Sequence, residues 1–417
     1  MGMERIDTLV IGAGQGGIAT SEHLGRLGLA HVVLERGRIA ERWRSERWDS
    51  LVANGPAWHD RFPNMAFPYD GDDFADKASV AAYFEAYAQM IGAPVRTGVT
   101  VEAVTPLAGR AGFHVRTSEG EIEAQHVVCA TGPFQKPAIP PIVPESPDVL
   151  QMHSTAYRNP QVLPEGAVLV VGGGSSGAQI AAELHAAGRD VFLSIGPHDR
   201  PPRRYRGRDN VWWLGVLGIW NMDTPAPGTE HVTIAVSGAQ GGKTVDFRRM
   251  AQAGIGLLGM TTGYADGVLQ IADDLKANLD AGDASYLSLL DAADAYVART
   301  GLDLPDEPEA RVIPEDPACV TDPVRSLDLR AQGIGTIIWA TGFRFDYGWL
   351  KADALDETGR PRHQRGVSPV PGLFFVGLPW QTRRGSSFIW GVWHDAKFIA
   401  DQIAIQNGYM AYHHSRG

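Results

Sequence analysis

One local pattern is written into this chain twice, and each copy demands a parallel strand turning tightly into a helix. The first copy is "IDTLVIGAGQGGIATSEHLGRLG", where apolar Leu9, Val10 and Ile11 run into Gly12, Gly14 and Gly17. The second is "GAVLVVGGGSSGAQIAAELHAAGRDVFLSIG", where the strand at 168–171 runs into Gly172, Gly174 and Gly177, with Ser175 and Ser176 opening the helix. The three glycines serve in turn a tight turn, close approach of backbone to a pyrophosphate, and close packing of helix on strand. The helix then offers free N–H groups and a positive dipole end to the phosphates. A lone GxGxxG says little. Strand, glycines, helix and second strand, repeated together, predict an α/β fold with two Rossmann-type dinucleotide-binding domains.

The copies differ where each second strand ends. "HVVLERG" ends in Glu35 and Arg36, and a carboxylate there accepts bonds from ribose hydroxyls and repels a 2′-phosphate. "DVFLSIG" ends in Ser194 without an acid, and "PHDRPPRRYRGRD" follows directly. Guanidinium forks pair bidentately with phosphate oxygens, so Arg200, Arg203 and Arg204 read as a 2′-phosphate clamp. Two such bonds at about 1.5–3 kcal/mol each would strongly favour NADPH over NADH. A solvated basic loop is the competing reading. The pairing that follows is FAD in the first cradle and NADPH in the second.

The rest of the chain fits that layout. "HVVCATGPFQKPAIPP" and "GTIIWATGFRFDYGWL" each end an apolar strand in Ala-Thr-Gly, placing Thr131, Gly132, Thr341 and Gly342 beside a cofactor and at a crossing between domains. A strand near Phe374–Val376 and a helix from about Ser387 close the chain. The FAD domain is therefore expected in two parts, 1–160 and 335–417. An NADPH domain at 161–334 is inserted between them, with a helical insertion at about 210–310. There, "VWWLGVLGIW" and "AGIGLLGM" read either as pocket lining or as core, and 268–301 as two amphipathic helices.

Composition narrows the function classes. A net charge of −11 argues against nucleic acid as partner, and two cysteines without a CxxC argue against a dithiol reductase or a Cys-rich metal site. Strand-forming sequence begins within a few residues of Met1 and no apolar run reaches the roughly 20 residues of a membrane span. A cytoplasmic protein with no membrane span is expected, with a homo-oligomer left open.

Beyond these motifs, the sequence resembles the flavin-containing, class B monooxygenases, in a bacterial branch related to plant auxin-pathway enzymes. The resemblance covers nearly the whole chain, through "GAGQGG", "ERWRSERWDSLVANGPAW", "ATGPFQKPAIP", "MHSTAYR", "GGGSSG", "PRRYRGRD" and "ATGF". It implies NADPH-dependent reduction of FAD, a flavin 4a-hydroperoxide formed with dioxygen, and oxygen transfer to nitrogen or sulfur of a small, aromatic-type molecule. A Baeyer–Villiger ketone monooxygenase, or a flavin-dependent NADPH oxidase or reductase, is the alternative. His153 and Tyr157 match half of a family signature; His153 reads as an interdomain hinge or a packed structural histidine. Trp43 and Trp48 read as flavin walls or as core, and Asn54 as an amide near the reacting edge. The ribityl-binding Asp common in relatives is absent after "LFFVG", which leaves backbone groups or Gln381 to serve instead. Trp390, Trp393 and His394 lie at helical spacing; relatives tend to carry smaller or acidic residues at the last two, so these would narrow the pocket.

Overall fold

The computed structural model describes residues 3–225 and 233–412. Residues 226–232, within the expected helical insertion, lie outside them. The strand predicted before the first glycine turn is β1 (Glu4–Ile11), followed by α1 (Gln15–Arg26) and β2 (His31–Glu35). Leu9 and Val10 are fully buried, as a central parallel strand covered on both faces requires. With α2 (Lys77–Met90), β3 (Val95–Thr97), β4 (Val101–Pro106), β5 (Phe113–Thr117) and β6 (Gly120–Cys129), the first unit builds a seven-stranded sheet in the order β3-β2-β1-β6-β5-β4. Its seventh strand pairs with the second half of β6 and comes from the far end of the chain, at Leu373–Phe375.

After β6 the chain crosses over. A short pairing of β7 (Lys136–Pro137) with Phe343–Arg344 marks the two connections lying side by side. The second sheet holds β8 (Leu150–His153), β9 (Ala167–Val171), β10 (Val191–Ser194), β11 (Gly256–Leu258) and β12 (Ile334–Trp339) in the parallel order β11-β10-β9-β12-β8. The helix α3 (Ser175–Ala186) follows β9 as α1 follows β1. Strand membership moves the expected boundaries: β8 lies before 161, and β12 runs past 334. The apolar run of β12 sits inside the sheet and needs a neighbour on each edge, so Leu150–His153 pairs there rather than staying with the first unit.

One open reading is decided and one expectation changes. The stretch "AGIGLLGM" contains strand β11 and is sheet core, with Leu257 and Leu258 at 1% exposure. Residues 268–301 hold a strand (Val268–Ile271) and one 26-residue helix, here α5 (Leu275–Thr300), not two helices; the short helix Asn210–Val216 before it is α4. Gly282 does not break α5, because His198 packs against its bare Cα; an added Cβ would lie 2.6 Å from His198 Nε2.

The closing helix, α6 (Ile389–Met410), locks onto α1 through a buried polar cluster. Glu22 accepts from Tyr87 Oη at 2.6 Å, Trp393 Nε1 at 2.9 Å and Asn64 Nδ2 at 2.7 Å, and pairs with Arg26. Trp393 is thus a brace for the fold and does not narrow a pocket. Beside it, His23 donates from Nε2 to the Trp393 carbonyl, and burial pushes its pKa down to about 4. The unfolded chain takes up that proton more readily than the folded one. Stability from His23 is therefore full above about pH 6.5 and falls away toward pH 4, by about 3 kcal/mol at most. Urea denaturation of His23→Gln should show a shallower decline across that range than the parent; equal slopes would remove His23 as the cause.

Candidate functional site

The first glycine turn is shaped for a ligand. Gly12 adopts φ +103°, where a Cβ would strike the Ala130 carbonyl, and a Cβ on Gly17 would lie 1.8 Å from the Gly12 oxygen. Gly14 is different: a Cβ there would meet nothing within 4 Å. The chain itself has no need of glycine at that position, so the bare Cα keeps room for something outside the chain. Glu35 is anchored at the strand end, accepting from Ala13 N at 2.9 Å and Gly37 N at 2.8 Å. A carboxylate has about four acceptor positions, so two remain for ribose hydroxyls. These groups, with Arg36, Trp43, Thr131 and Gly132, line a cleft of about 290 Å³. The residues present fit an adenine dinucleotide with an unphosphorylated ribose.

The second turn has the same backbone and a different occupant. A Cβ on Gly177 would again lie 1.8 Å from the carbonyl of Gly172, which has φ +123°. Here, however, the helix N-terminus is covered by residues 233–236. The Ile234 carbonyl accepts from Ser175 N at 2.9 Å and from Ser175 Oγ at 2.8 Å. Val236 N donates to Ser175 Oγ, and Thr233 Cγ2 would stand 3.3 Å from a Cβ on Gly174. A pyrophosphate seated on these N–H groups has to displace the Ile234 carbonyl.

The arginines do not gather around that turn. Arg200 is 3% exposed, bonds Asp283 through Nε and Nη2, and stacks over Tyr286 at 4.5 Å. Arg203 is 2% exposed, forks onto Asp209 and gives Nη1 to the Asn54 carbonyl at 2.6 Å. In this arrangement both guanidinium groups are committed to internal partners, contrary to the clamp expected of them. Arg204 is exposed and bonds the Gly241 and Gly242 carbonyls, while Arg206 pairs with Asp294 and Asp306. Ser194 is buried as well, its hydroxyl donating to the Gly259 carbonyl and accepting from Thr261 N.

A second cavity, about 410 Å³ and mostly apolar, opens between the two sheets and adjoins the first at Gln15, Trp43 and Phe134. Asn54 lines it. Its Oδ1 accepts from Gln179 Nε2 at 2.8 Å, which leaves its N–H groups without a partner among the described residues. Part of the tryptophan-rich run supplies a wall: Leu214, Ile219 and Trp220 face the cavity, whereas Trp213 is core. Trp390 backs that wall, 5.4 Å from the Trp220 ring, and His394 stands behind Trp390 at 6.3 Å.

Other expected residues lie away from both cavities. Tyr157 is fully buried and donates to Glu183 at 2.7 Å, and burial drives its pKa far up, so it is a structural phenol. Trp48 packs in the same core and lines neither cavity. Gln381 is buried, its side-chain amide donates nothing among the described residues, and its Oε1 accepts weakly from Leu378 N. His153 joins the crossing: Nε2 donates to the Gly342 carbonyl at 2.9 Å, and burial keeps its pKa below the usual histidine value. Thr341 Oγ1 likewise bonds the Ala138 carbonyl, so this threonine and Gly342 pin the two connections together rather than line the cradle.

Residues 9–206 match the family described as pyridine nucleotide-disulphide oxidoreductase. An uncharacterized CzcO-like oxidoreductase of Geobacillus kaustophilus is 33% identical over 402 residues, covering 95% of this chain and 98% of its own. The chain belongs to the CzcO-like oxidoreductases. Indole-3-pyruvate monooxygenase YUCCA1 of Oryza sativa is 28% identical to this CzcO-like chain, with 95% of it and 91% of the plant enzyme covered. A flavin-containing monooxygenase from Stenotrophomonas maltophilia shares the fold at a TM-score of 0.67 and 20% identity, covering 97% of the CzcO-like chain and all of its own. Among the described residues no helix is long and apolar enough to cross a membrane.

Proposed function

We propose that this chain is a monooxygenase dependent on FAD and NADPH that oxygenates a nitrogen or sulfur centre of a small, largely apolar molecule. The observation that carries the reading is the contact between the two cavities, with Trp43 and Phe134 shared and Asn54 presenting free N–H groups beside them. Bound FAD supplies hydride acceptance and activation of dioxygen. The chain supplies placement: the Gly14 turn and Glu35 hold the dinucleotide, and the Ser175 and Ser176 N–H groups receive NADPH once residues 233–236 swing aside.

Around the reacting edge the chain excludes water. Trp43, Phe134 and Trp220 wall the space, and among the described residues no histidine lines it to leak a proton. Asn54 can donate to a carboxamide or to a reacting oxygen without releasing its own proton, because an amide does not ionise at neutral pH. His153 stays neutral at the crossing and serves as a hinge pin, and Tyr157 takes no part.

Anaerobic NADPH should bleach the flavin's visible absorbance band, and aerobic turnover with a thioether should yield sulfoxide in step with NADPH consumed. Asn54→Leu should divert most of that NADPH into hydrogen peroxide. Full conversion to peroxide by the parent, with every amine and sulfide tried, would make the chain an oxidase instead.

A further inference from the structure

Two opposite charges face the interdomain cavity without meeting. Arg384 sits on the turn before α6, in the first unit; Asp199 follows β10, in the second. Both line the cavity and both are half-buried. Neither side chain makes a hydrogen bond or an ion pair among the described residues, which sets them apart from every arginine of the 200–206 cluster. Asp199 is nonetheless the carboxylate whose charge Arg384 feels against its burial. A third group points the same way: Asn210 is 4% exposed, lines the cavity, and its Oδ1 is buried with no partner among the described residues. The remaining acid, Asp60, is already engaged by Gly55 N and His59 Nδ1.

Holding an unpaired guanidinium and an unpaired carboxylate in a partly buried, apolar cavity is costly unless something completes them. A simple anion would gain Arg384 and be repelled by Asp199, and a simple cation would meet the reverse. A molecule with both charges satisfies both. We infer that the cavity between the sheets binds a zwitterion of the α-amino-acid class, its carboxylate on Arg384, its ammonium on Asp199 and the Asn210 oxygen, and its apolar side chain against Trp220, Leu214 and Leu289. At about 410 Å³ the cavity falls within the roughly 300–1,000 Å³ of small-molecule sites.

The binding part of this inference stands apart from the proposed oxygenation; only the fate of the ligand rests on that reading. The test uses FAD-loaded protein and S-benzyl-L-cysteine as probe, since it joins a thioether and an aromatic ring to both charges. Quenching of tryptophan fluorescence gives its Kd beside those of 3-(benzylthio)propanoate, which lacks the amine, and 2-(benzylthio)ethylamine, which lacks the acid. The full zwitterion should bind at least tenfold tighter than either. Arg384→Gln should remove the gain from the carboxylate, and Asp199→Asn the gain from the amine, with retained flavin and unchanged melting showing that both variants fold.

Equal Kd values for the three probes, or a ranking that survives both substitutions, would overturn the site. So would Arg384→Gln weakening NADPH at least tenfold while leaving S-benzyl-L-cysteine unchanged, because the arginine would then serve the dinucleotide. Tight, charge-dependent binding without sulfoxide would support the site and count against the oxygenase reading.

Discussion

The Gly14→Ala protein should fold, melt with the flavin-free parent, and emerge colourless. Gly14 has φ −85° and ψ −166°, a conformation any residue adopts, and its Cβ would meet nothing within 4 Å. Nothing inside the chain therefore resists the methyl group. A pyrophosphate resting on the N–H groups of Gln15 and Gly16 would resist it, because the backbone could no longer approach. FAD affinity, read by titration and by the flavin-to-protein absorbance ratio, should fall by roughly a hundredfold, or about 2.7 kcal/mol. Gly17→Ala gives the contrast: its Cβ would sit 1.8 Å from the Gly12 carbonyl, so α1 could not seat on β1 and soluble protein should be lost. A yellow Gly14→Ala protein with the parent's affinity would mean that the phosphates lie elsewhere.

The glycine turns were legible because their demands are local. A positive φ at Gly12, a helix packed onto the carbonyl at Gly17 and an acid ending β2 all concern residues that are near neighbours in sequence or strand. What a side chain pairs with across the fold is not written nearby. Arg200 reads the same whether it meets a phosphate or Asp283, which lies on α5 in another part of the unit. Likewise, nothing around Ser175 announces that the Ile234 carbonyl will cover it. His153 was readable as a residue of the crossing because its motif sits there, whereas Tyr157, in the same motif, became core once Glu183 of α3 took its hydroxyl. Arg384 and Asp199 carried no motif at all; they became visible only when two distant turns faced one cavity.

Arg203→Ala should therefore show its main effect on stability, not on the choice of nucleotide. Arg203 and Asp209 are each 2% exposed, and the arginine also bonds the Asn54 carbonyl and lies over Phe74 at 5.0 Å. Removing it strands a buried carboxylate, which costs about 3–5 kcal/mol, and the melting temperature should drop by roughly 10 °C. Arg203→Lys should recover little, since an ammonium lacks the fork that reaches both Asp209 oxygens. Removing both charges, as Arg203→Met with Asp209→Asn, should recover much of the loss, and asparagine can still accept the Val211 N–H that Asp209 now caps. Across these proteins the ratio of NADPH to NADH affinity should hold steady, while Arg204→Ala, at an exposed position, should fold normally. If Arg203→Ala instead melted with the parent and lost its preference for NADPH, the guanidinium would have to leave Asp209 for the 2′-phosphate, and the buried pair would be a resting position that nucleotide binding breaks.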